Sequence, residues 1–366
     1  MINVVDILLV GSGGRESTLE WKLRKDPQVD RIYTSPGNGG TKDNLPYTPS
    51  DFEKLAKFAE KEELFTIIGP EKPLADGIVD FFIERELKIF GPTRNAAQLE
   101  ASKSYAKNFM KLNEIPTSEF EVFTDFGSAK EYIMKKSGQV VIKADGLAAG
   151  KGVAVCHDVT HATSVLSDLM VYKKLGEAGS KVVIEDVLKG EELSCFYLSD
   201  GKNIVNLSTA QDHKTIFEGD QGPNTGGMGS YSPSYLVSEN IKMEIDCIAD
   251  TTIKGMARNG NPFKGILYLG LMINESKPYV LEYNVRLGDP ETQVVLPMMK
   301  SHLYPYLDAC SEGRLGEIEP IEWNLGAAIC VVMVSKGYPG KYEIGKEILG
   351  LQGIECIDNV HVFHAG

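Results

Sequence analysis

Two lysines flank a glycine-rich segment whose residue types suit a nucleoside triphosphate. Lys143 and Lys151 bracket Gly146 and Gly150, and Gly152 follows directly before an apolar run. Glycines let backbone amides approach phosphate oxygens closely, and the lysines add positive charge. A Walker loop would need a different spacing and a following helix. The pattern therefore predicts a mobile flap over ATP; a plain β-hairpin turn would explain the glycines but not both lysines.

Side chains that bind metal ions and phosphoryl groups alternate along a second segment. Glu282, Asn284 and Arg286 occupy every second position of an extended run, so they share one face of a strand. Carboxylate and amide oxygens are hard ligands that suit Mg²⁺, and Arg286 can stabilise charge on a transferring phosphoryl group. A solvated strand face is the alternative interpretation. Asp289 adds another acid shortly afterwards.

Polar segments between residues 211 and 233 favour contact with a ligand. Asp212, His213 and Lys214 precede the glycine-rich sequence GPNTGGMG at residues 222–229. Loops of this composition inside a compact domain usually carry function. We interpret His213 as structural or orienting, because an amine nucleophile needs little help once its lone pair is free. Another extended run, residues 181–188, ends at a turn that contains Glu192. The backbone of this run could hydrogen-bond to an adenine and Glu192 to the ribose hydroxyls, although acidic turns are often only solvated.

The sequence GSGGRE at residues 11–16 follows an apolar run and precedes a helical pattern. Amides at the start of such a helix would face an anion, and Arg15 suits a phosphate monoester. A dinucleotide site is disfavoured, because Glu16 replaces the third glycine of that motif and the second strand lacks the acid that binds the ribose. The alternative is a tight strand-to-helix turn with a solvated arginine.

An α/β framework must hold these segments. Short β-rich runs alternate with helical stretches up to about residue 91, which predicts a parallel sheet. Further predictions are a helix over 102–113, a hairpin formed by 265–274 and 278–285, and strands over 327–334 and 360–363. We divide the chain into an N-terminal Rossmann-like substrate domain (1–101), a linking helix (102–120), a lid subdomain (121–189), a core subdomain (190–324) and a partial C-terminal domain (325–366).

Composition indicates an ordinary soluble protein of several domains. Its 366 residues are 42% hydrophobic and 24% charged. The net charge of -13 disfavours nucleic acid as a partner, because binding to a phosphate backbone needs clustered Lys and Arg. Scattered cysteines without a C-x-x-C pair favour a reducing cytoplasm. The longest apolar run, residues 327–334, is too short to span a bilayer, so we expect no membrane role.

The motifs taken together resemble one enzyme family. GSGGRE, PGNGGT, IIGPEKPLADG, IKADGLAAGKGV, QDHK, GPNTGGMGSYSP and EYNVRLGDPETQ occur in this order along the chain. Their combination is similar to that of the phosphoribosylamine-glycine ligases of purine biosynthesis, which have the ATP-grasp fold. The resemblance implies that ATP, glycine and 5-phosphoribosylamine give glycinamide ribonucleotide, ADP and phosphate through a glycyl phosphate. Mg²⁺ or Mn²⁺ would be the metal, and the protein would be a monomer or a homodimer.

The resemblance also implies a role for each candidate residue. ATP would be held by Lys103, Lys143, Gly146, Gly150, Lys151, Gly152, Glu185, Asp186, Val187, Leu188 and Glu192. The metal would be held by Glu282 and Asn284. The amino acid and the acyl phosphate would meet Asp212, Lys214, Asn224, Thr225, Gly226, Gly227, Arg286 and Asp289. Phosphoribosylamine would meet Gly11, Gly13, Gly14, Arg15, Gly37, Asn38, Gly40, Pro70 and Glu71. The catalytic residues would be Arg286, Lys143 and Asp212.

This chain departs from the family pattern at Ser17, Thr215 and Leu287, where His, Arg and an aromatic residue are usual. The family's C-terminal domain also continues beyond a sequence like FHAG, so we expect a shortened C-terminus. The alternatives are another ATP-grasp carboxylate-amine ligase, which should lack the GPNTGGMG loop, and a non-catalytic ATP-binding module, which would tolerate the loss of Glu282 or Asn284.

Overall fold

A computed structural model describes residues 4–148, 152–354 and 356–365. The predicted parallel sheet at the N-terminus is confirmed, with the strand order β2-β1-β3-β4. Its strands are β1 (Val5–Gly11), β2 (Val29–Pro36), β3 (Phe65–Ile68) and β4 (Ile89–Phe90). Four helices accompany it: α1 (Gly14–Leu23), α2 (Phe52–Lys61), α3 (Glu71–Asp76) and α4 (Ile78–Ile83).

In the connection to the next unit, the helix predicted over 102–113 is confirmed, whereas residues 113–119 of the predicted linking helix are not helical. Its elements are α5 (Gln98–Ala101) and α6 (Lys103–Leu112). Ser102 caps α6, because its side chain accepts a hydrogen bond from the amide of Tyr105 at 3.1 Å. The backbone of Lys103 in turn donates to the carbonyl oxygen of Asp145 at 3.0 Å, which ties the start of α6 to the following unit.

That following unit is a four-stranded sheet, in the order β5-β8-β6-β7, packed against two helices. Its elements are β5 (Phe120–Phe123), α7 (Phe126–Lys135), β6 (Val140–Ala144), β7 (Val153–Cys156), α8 (Val159–Met170) and β8 (Val182–Asp186). Asp158 caps α8, because its side chain accepts a hydrogen bond from the amide of His161 at 2.8 Å. The unit has a hydrophobic cluster of its own, which includes Ile142, Leu166 and Ile184.

The largest sheet has the order β15-β14-β9-β10-β13-β16. Its elements and their neighbours are β9 (Glu191–Asp200), β10 (Ile204–Asp212), β11 (Thr215–Phe217), β12 (Gln221–Asn224), β13 (Gly229–Ser232), α9 (Glu239–Arg258), β14 (Lys264–Asn274), β15 (Lys277–Asn284), α10 (Thr292–Met298), α11 (Tyr304–Glu312), β16 (Ala328–Val331) and α12 (Leu351–Ile354). The predicted hairpin is confirmed as β14 and β15. Glu275 and Ser276 form its turn, both with positive φ, which suits the twist of a hairpin.

Outside residues 120–186, the buried apolar side chains form two hydrophobic clusters. Leu8 and Val10 belong to one hydrophobic cluster, and Ile7 and Leu9 to another, because successive side chains of β1 point to opposite faces. Both clusters contain residues of the N-terminal sheet and of the largest sheet. These two units therefore share their cores.

The predicted strand over 360–363 is wrong. The segment forms no ladder; His361 and Phe363 instead pack on the ring of Trp21 in α1, with centroids 4.6 and 5.6 Å away. Because this segment lies against a helix, its backbone has no neighbouring strand with which to form a ladder. In the part of the chain that the structure describes, we find no helix with the length and apolarity needed to cross a membrane.

Candidate active site

A cleft of about 460 Å³ opens between the small sheet of residues 120–186 and the largest sheet. Most of the predicted nucleotide and metal residues line this cleft. They are Lys103, Lys143, Gly146, Gly152, Glu185, Asp186, Val187, Leu188, Glu192, Glu282 and Asn284. Gly150 and Lys151 lie outside the described residues. On either side of the glycine-rich segment, the amide of Ala144 donates to the carbonyl oxygen of Gly152 at 2.8 Å.

Glu185 holds two buried lysines at one wall of the cleft. Its carboxylate lies 2.9 Å from the Nζ of Lys143 and 2.9 Å from the Nζ of Lys107. Burial would raise the pKa of Glu185, but the two ammonium groups outweigh it and lower that pKa. The Nζ of Lys143 also donates to the carbonyl oxygen of Leu281 at 3.0 Å. This lysine thereby joins the small sheet to β15 across the cleft.

Glu282 lies where positive charges converge. Lys103, at the start of α6, has its Nζ 2.7 Å from the Oε2 of Glu282. Burial opposes ionisation of this carboxyl, but Lys103, Lys143 and Lys214 together hold the pKa of Glu282 well below its usual range. Glu282 is thus a carboxylate at neutral pH. Lys143 and Lys214 also pair with Glu185 and Glu192, so the lysines near Glu282 are held in position, where their ammonium groups can bind a polyphosphate.

Arg286 is fixed from three sides just beyond the end of β15. Its Nη2 lies 2.9 Å from Glu100 and donates to the Oδ1 of Asn284 at 3.1 Å, and its Nε lies 3.3 Å from Glu71. The contact with Asn284 confirms that alternate residues of this segment share a face. Burial opposes the charge, but Glu100 and Glu71 outweigh it and raise the pKa of Arg286. The guanidinium is therefore a permanently charged and oriented group.

Asp212 occupies an acidic corner of the cleft. Burial raises its pKa to about 7; Lys214 opposes this shift, and Glu291 and Glu192 add to it. The Nζ of Lys214 lies 2.5 Å from Glu192 and 3.9 Å from Asp212. This carboxyl can change its protonation state near neutral pH.

The glycine-rich loop borders the same corner. The amide of Thr225 donates to the carbonyl oxygen of Lys214 at 2.7 Å, and the amide of Met228 to that of His213 at 2.7 Å. Asn224, Thr225 and Gly226 line the cleft, whereas Gly227 does not. Gly227 has a φ of +117°, and a Cβ there would meet Pro290 at 2.4 Å, so only glycine fits this close approach.

The loop at residues 11–16 differs from the arrangement expected for an anion site. Several of its polar donors are already engaged: Glu16 accepts from the amide of Gly13 at 2.6 Å and from the Nε of Arg15 at 2.7 Å. Asp289 accepts from the amide of Arg15 at 3.1 Å. Glu16 takes the space beside Gly11, where a Cβ would lie 2.5 Å from its Cγ. An internal carboxylate thus occupies the place where a motif for dinucleotides has glycine.

The remaining predicted substrate residues adjoin the cleft at this end. Arg15, Glu71 and Asp289 line it, while the others lie outside its lining: Gly11, Gly13, Gly14, Gly37, Asn38, Gly40 and Pro70. Asp289 bridges the two groups, because it contacts both the cleft and the start of α1. Pro70 directly precedes α3 and so places Glu71 at that helix's first position.

Several residues of the site were not among the candidate residues predicted from the sequence. Glu100 is buried and binds both the amide of Val285, at 2.8 Å, and Arg286. Lys107 is the second cation on Glu185. Glu291 accepts from the hydroxyl of Tyr268 at 2.7 Å. Glu100 and Lys107 lie on ordinary helices, where the one available signal was a charged residue in an otherwise buried pattern, whereas Glu291 lies in the turn directly before α10.

The donor chemistry fits a divalent metal bound partly by phosphates. Glu282 and Asn284 present oxygen atoms from one face of β15. Within residues 4–148, 152–354 and 356–365 there is no group of three or more His, Cys, Asp or Glu that could hold a metal by itself. Mg²⁺ commonly takes one or two protein ligands and completes its shell with water and substrate phosphates. The pair therefore suits a nucleotide-bound metal.

Comparison with known proteins agrees with this chemistry. The domain families described as "Phosphoribosylglycinamide synthetase, N domain" and "Phosphoribosylglycinamide synthetase, ATP-grasp (A) domain" match residues 5–100 and 101–292. The phosphoribosylamine-glycine ligase of Halalkalibacterium halodurans is 46% identical over 99% of this chain and 85% of its own length. A crystal structure of the Thermotoga maritima phosphoribosylamine-glycine ligase superposes with a TM-score of 0.81 and 38% identity, covering 93% of this chain and 83% of that one.

An ADP complex of N5-carboxyaminoimidazole ribonucleotide synthetase shares the fold alone, with 15% identity and a TM-score of 0.65 over 90% of this chain and 82% of that one. The N-terminal parallel sheet, the small sheet and the largest sheet thus form an ATP-grasp architecture. Because the family match extends over both domains and the identity to the relatives is high along the whole chain, the protein belongs to the phosphoribosylamine-glycine ligase family.

Proposed function

We propose that this cleft catalyses the ATP-dependent ligation of glycine to 5-phosphoribosylamine, which gives glycinamide ribonucleotide, ADP and phosphate in purine biosynthesis. The observation that carries the proposal is the convergence of Lys103, Lys143 and Lys214 on Glu282. A triphosphate supplies the negative charge that such a site attracts. The family membership supplies the substrates, and the enzyme is an ATP-dependent carbon-nitrogen ligase.

ATP lies between the two sheets in this proposal. Lys103 and Lys143 pair with its phosphates, and the segment 146–152, with Gly146, Gly150, Lys151 and Gly152, covers them. The backbone of residues 185–188 faces the adenine, and Glu192 accepts from the ribose hydroxyls. Lys143 is already aligned by Glu185 and by the carbonyl oxygen of Leu281, so little side-chain entropy is lost when it meets a phosphate.

Glu282 and Asn284 hold the divalent metal in this proposal. Members of this superfamily use ATP with divalent ions, and the hard oxygen donors favour Mg²⁺, with Mn²⁺ as the substitute. When bound, the metal neutralises charge on the phosphates. Arg286, held by Glu71 and Glu100, adds a fixed positive charge where the phosphoryl group moves to the glycine carboxylate.

The glycine side of the site is the acidic corner. Lys214 and the amides of residues 224–227 hold the glycine carboxylate and its acyl phosphate, and Asp212 orients the amino group. Phosphoribosylamine enters from the loops of residues 11–15 and 37–40, with Pro70, Glu71 and Asp289 beside them. Its amine then attacks the glycyl phosphate and releases phosphate.

The six free cysteines favour a reducing cytoplasm as the location.

The experiment that tests the proposal is an ADP-release assay with substrates omitted one at a time. We expect turnover when ATP, a divalent metal, glycine and phosphoribosylamine are all present, and loss of turnover when glycine is omitted or replaced by a larger amino acid. Parallel reactions with Mg²⁺, Mn²⁺ and a chelator identify the metal. ADP release that is indifferent to glycine would instead favour another ATP-grasp ligase or an ATP-binding module.

A further inference from the structure

The segment of residues 361–365, termed here the tail segment, is anchored on helix α1. His361 and Phe363 pack on the ring of Trp21, whose other neighbour is the Nζ of Lys25, 3.5 Å from its centroid. Aromatic contacts of this kind stabilise packing beyond the area they bury. Two such contacts hold the tail segment beside the glycine loops of the N-terminal unit.

The tail segment touches both loops that the proposal assigns to phosphoribosylamine. The Nδ2 of Asn38 donates to the carbonyl oxygens of His364 and Ser12, both at 2.8 Å. A Cβ built on Gly40 would lie 2.6 Å from the Cδ2 of His364, so the imidazole lies directly on that glycine. Ala365 approaches Gly14 in the same way, with its Cβ 3.6 Å from the corresponding position. These residues form one continuous surface.

A buried acceptor lies beside this surface, on a residue that hydrogen-bonds to Asp289 of the cleft lining. Gln293 is only 8% exposed, and its Nε2 donates to the Oδ1 of Asp289 at 2.6 Å. Its Oε1 is buried and has no hydrogen-bond partner among the described residues. The same amide and the Cβ of Ala365 both lie beside Gly14. An unpaired buried acceptor costs free energy unless a ligand satisfies it, and a sugar hydroxyl is a suitable donor.

The phosphate of the substrate also needs donors at this end. The guanidinium of Arg15 is already engaged by Glu16 and by the carbonyl oxygen of Leu287, at 2.7 and 3.1 Å. Asp289 occupies the amide of Arg15. His364 adds an imidazole to this surface, and an imidazole N–H can donate to a phosphate oxygen.

We propose that the tail segment forms one wall of the phosphoribosylamine pocket, with His364 donating to the phosphate and Gln293 accepting from a ribose hydroxyl. This inference rests on the proposed function, since it assigns a place to the second substrate of that reaction. His364 is then a binding residue for phosphoribosylamine, whereas Trp21 and Asn38 are positioning residues that hold the tail segment.

The test is the kinetics of His364→Ala, with phosphoribosylamine formed in situ from ribose 5-phosphate and ammonia. We expect KM for phosphoribosylamine to rise about tenfold, the effect of one lost hydrogen bond to a charged group, while KM for ATP and glycine stays constant. His364→Gln, which keeps a donor, should restore most of the affinity. His302→Ala, at an exposed histidine outside the site, is the matched control.

A second assay separates this inference from the proposed function. Hydroxylamine replaces phosphoribosylamine and traps the glycyl phosphate as a hydroxamate, so it reports on ATP and glycine alone. We expect wild type and His364→Ala to form the hydroxamate equally fast. A wild type that forms none would overturn the proposed function and this inference with it. A wild type that forms it, beside a His364→Ala enzyme with unchanged KM for phosphoribosylamine, would overturn the inference alone.

Discussion

Glu282 is the carboxylate on which three lysines of the cleft converge. Its side chain is 32% exposed to the cleft and pairs with Lys103, which is 16% exposed. A partly open ion pair of this kind contributes little to folding, because solvent screens it. Its position, by contrast, is tied to the metal and the phosphates. Function and stability should therefore separate when this residue is changed.

We predict that Glu282→Gln lowers kcat by at least about 100-fold, since one charged metal ligand is lost, while the melting temperature changes little. Steady-state kinetics over a range of Mg²⁺ concentrations and a thermal melt measure the two effects. The control is Glu322→Gln, which removes an exposed carboxylate paired with Lys300 at 2.7 Å. A large fall in melting temperature with retained turnover would assign Glu282 a structural role.

Asp212 should make the stability of the free enzyme depend on pH. Its pKa is raised from 3.8 to about 7 by burial and by its acidic neighbours. Between these two values the folded protein binds a proton that the unfolded chain does not. The free energy of unfolding therefore falls as pH rises through this window and levels off above it.

The corresponding prediction concerns Asp212→Asn, which cannot ionise. Relative to wild type, this variant should gain stability as pH rises from about 4 to about 7, with no further gain above that. Urea unfolding without ligands, at pH values below, within and above the window, measures the difference. A difference that is constant with pH would mean that Asp212 keeps an ordinary pKa in the folded protein.

At the scale of elements, helix α6 supports the nucleotide site from behind. Lys107 is 2% exposed and pairs with Glu185 in β8. Its Nζ also donates to Thr117 and Ser118, at 2.6 and 3.1 Å. Burial lowers the pKa of Lys107 to about 8, although Glu185 opposes that shift. The lysine joins the helix, the connecting segment and the small sheet.

We predict that Lys107→Met costs about 3 kcal/mol in the free energy of unfolding, because Glu185 and the two hydroxyls lose a buried partner. Lys111→Met, on the exposed side of the same helix, should cost less than about 0.5 kcal/mol. Urea titration of both variants makes the comparison. Equal stability of the two would show that Lys143 alone is sufficient to compensate the charge of Glu185.

At the scale of the whole molecule, the hydrophobic clusters predict how the chain unfolds. The N-terminal sheet and the largest sheet contribute to the same two clusters, whereas residues 120–186 have a separate one. Elements that share a core should lose it together, while a small unit with its own core can open independently.

Hydrogen exchange measures this difference directly. We predict that amides of β1, β9 and β14 exchange with one common, high free energy of opening, and that amides of β6 and β8 exchange with a lower one. Mg²⁺ and ATP should raise the second value, because nucleotide bound across the cleft stabilises the closed form. Identical protection in all five strands, unchanged by nucleotide, would contradict an independently opening lid.

The amino-acid sequence determined the features that depend on local pattern. Alternating apolar runs and helical stretches are sufficient to predict the N-terminal parallel sheet, helix α6 and the hairpin of β14 and β15, since each is specified by neighbours in the chain. Motif spacing singled out Lys143, Glu282 and Arg286, and the family resemblance added others that line the cleft, such as Lys103 and Glu185.

The tertiary structure alone decided which distant groups meet. Glu100 lies beside Arg286, Asp289 accepts a hydrogen bond from the amide of Arg15 in the loop predicted to bind a phosphate, and residues 360–363 pack on Trp21 instead of joining a sheet. The pattern of neighbouring residues in the sequence does not reveal such contacts, because these ion pairs and packing contacts depend on distances in space between residues hundreds of positions apart. The free energy of a buried charge is set by those neighbours and not by its place in the chain.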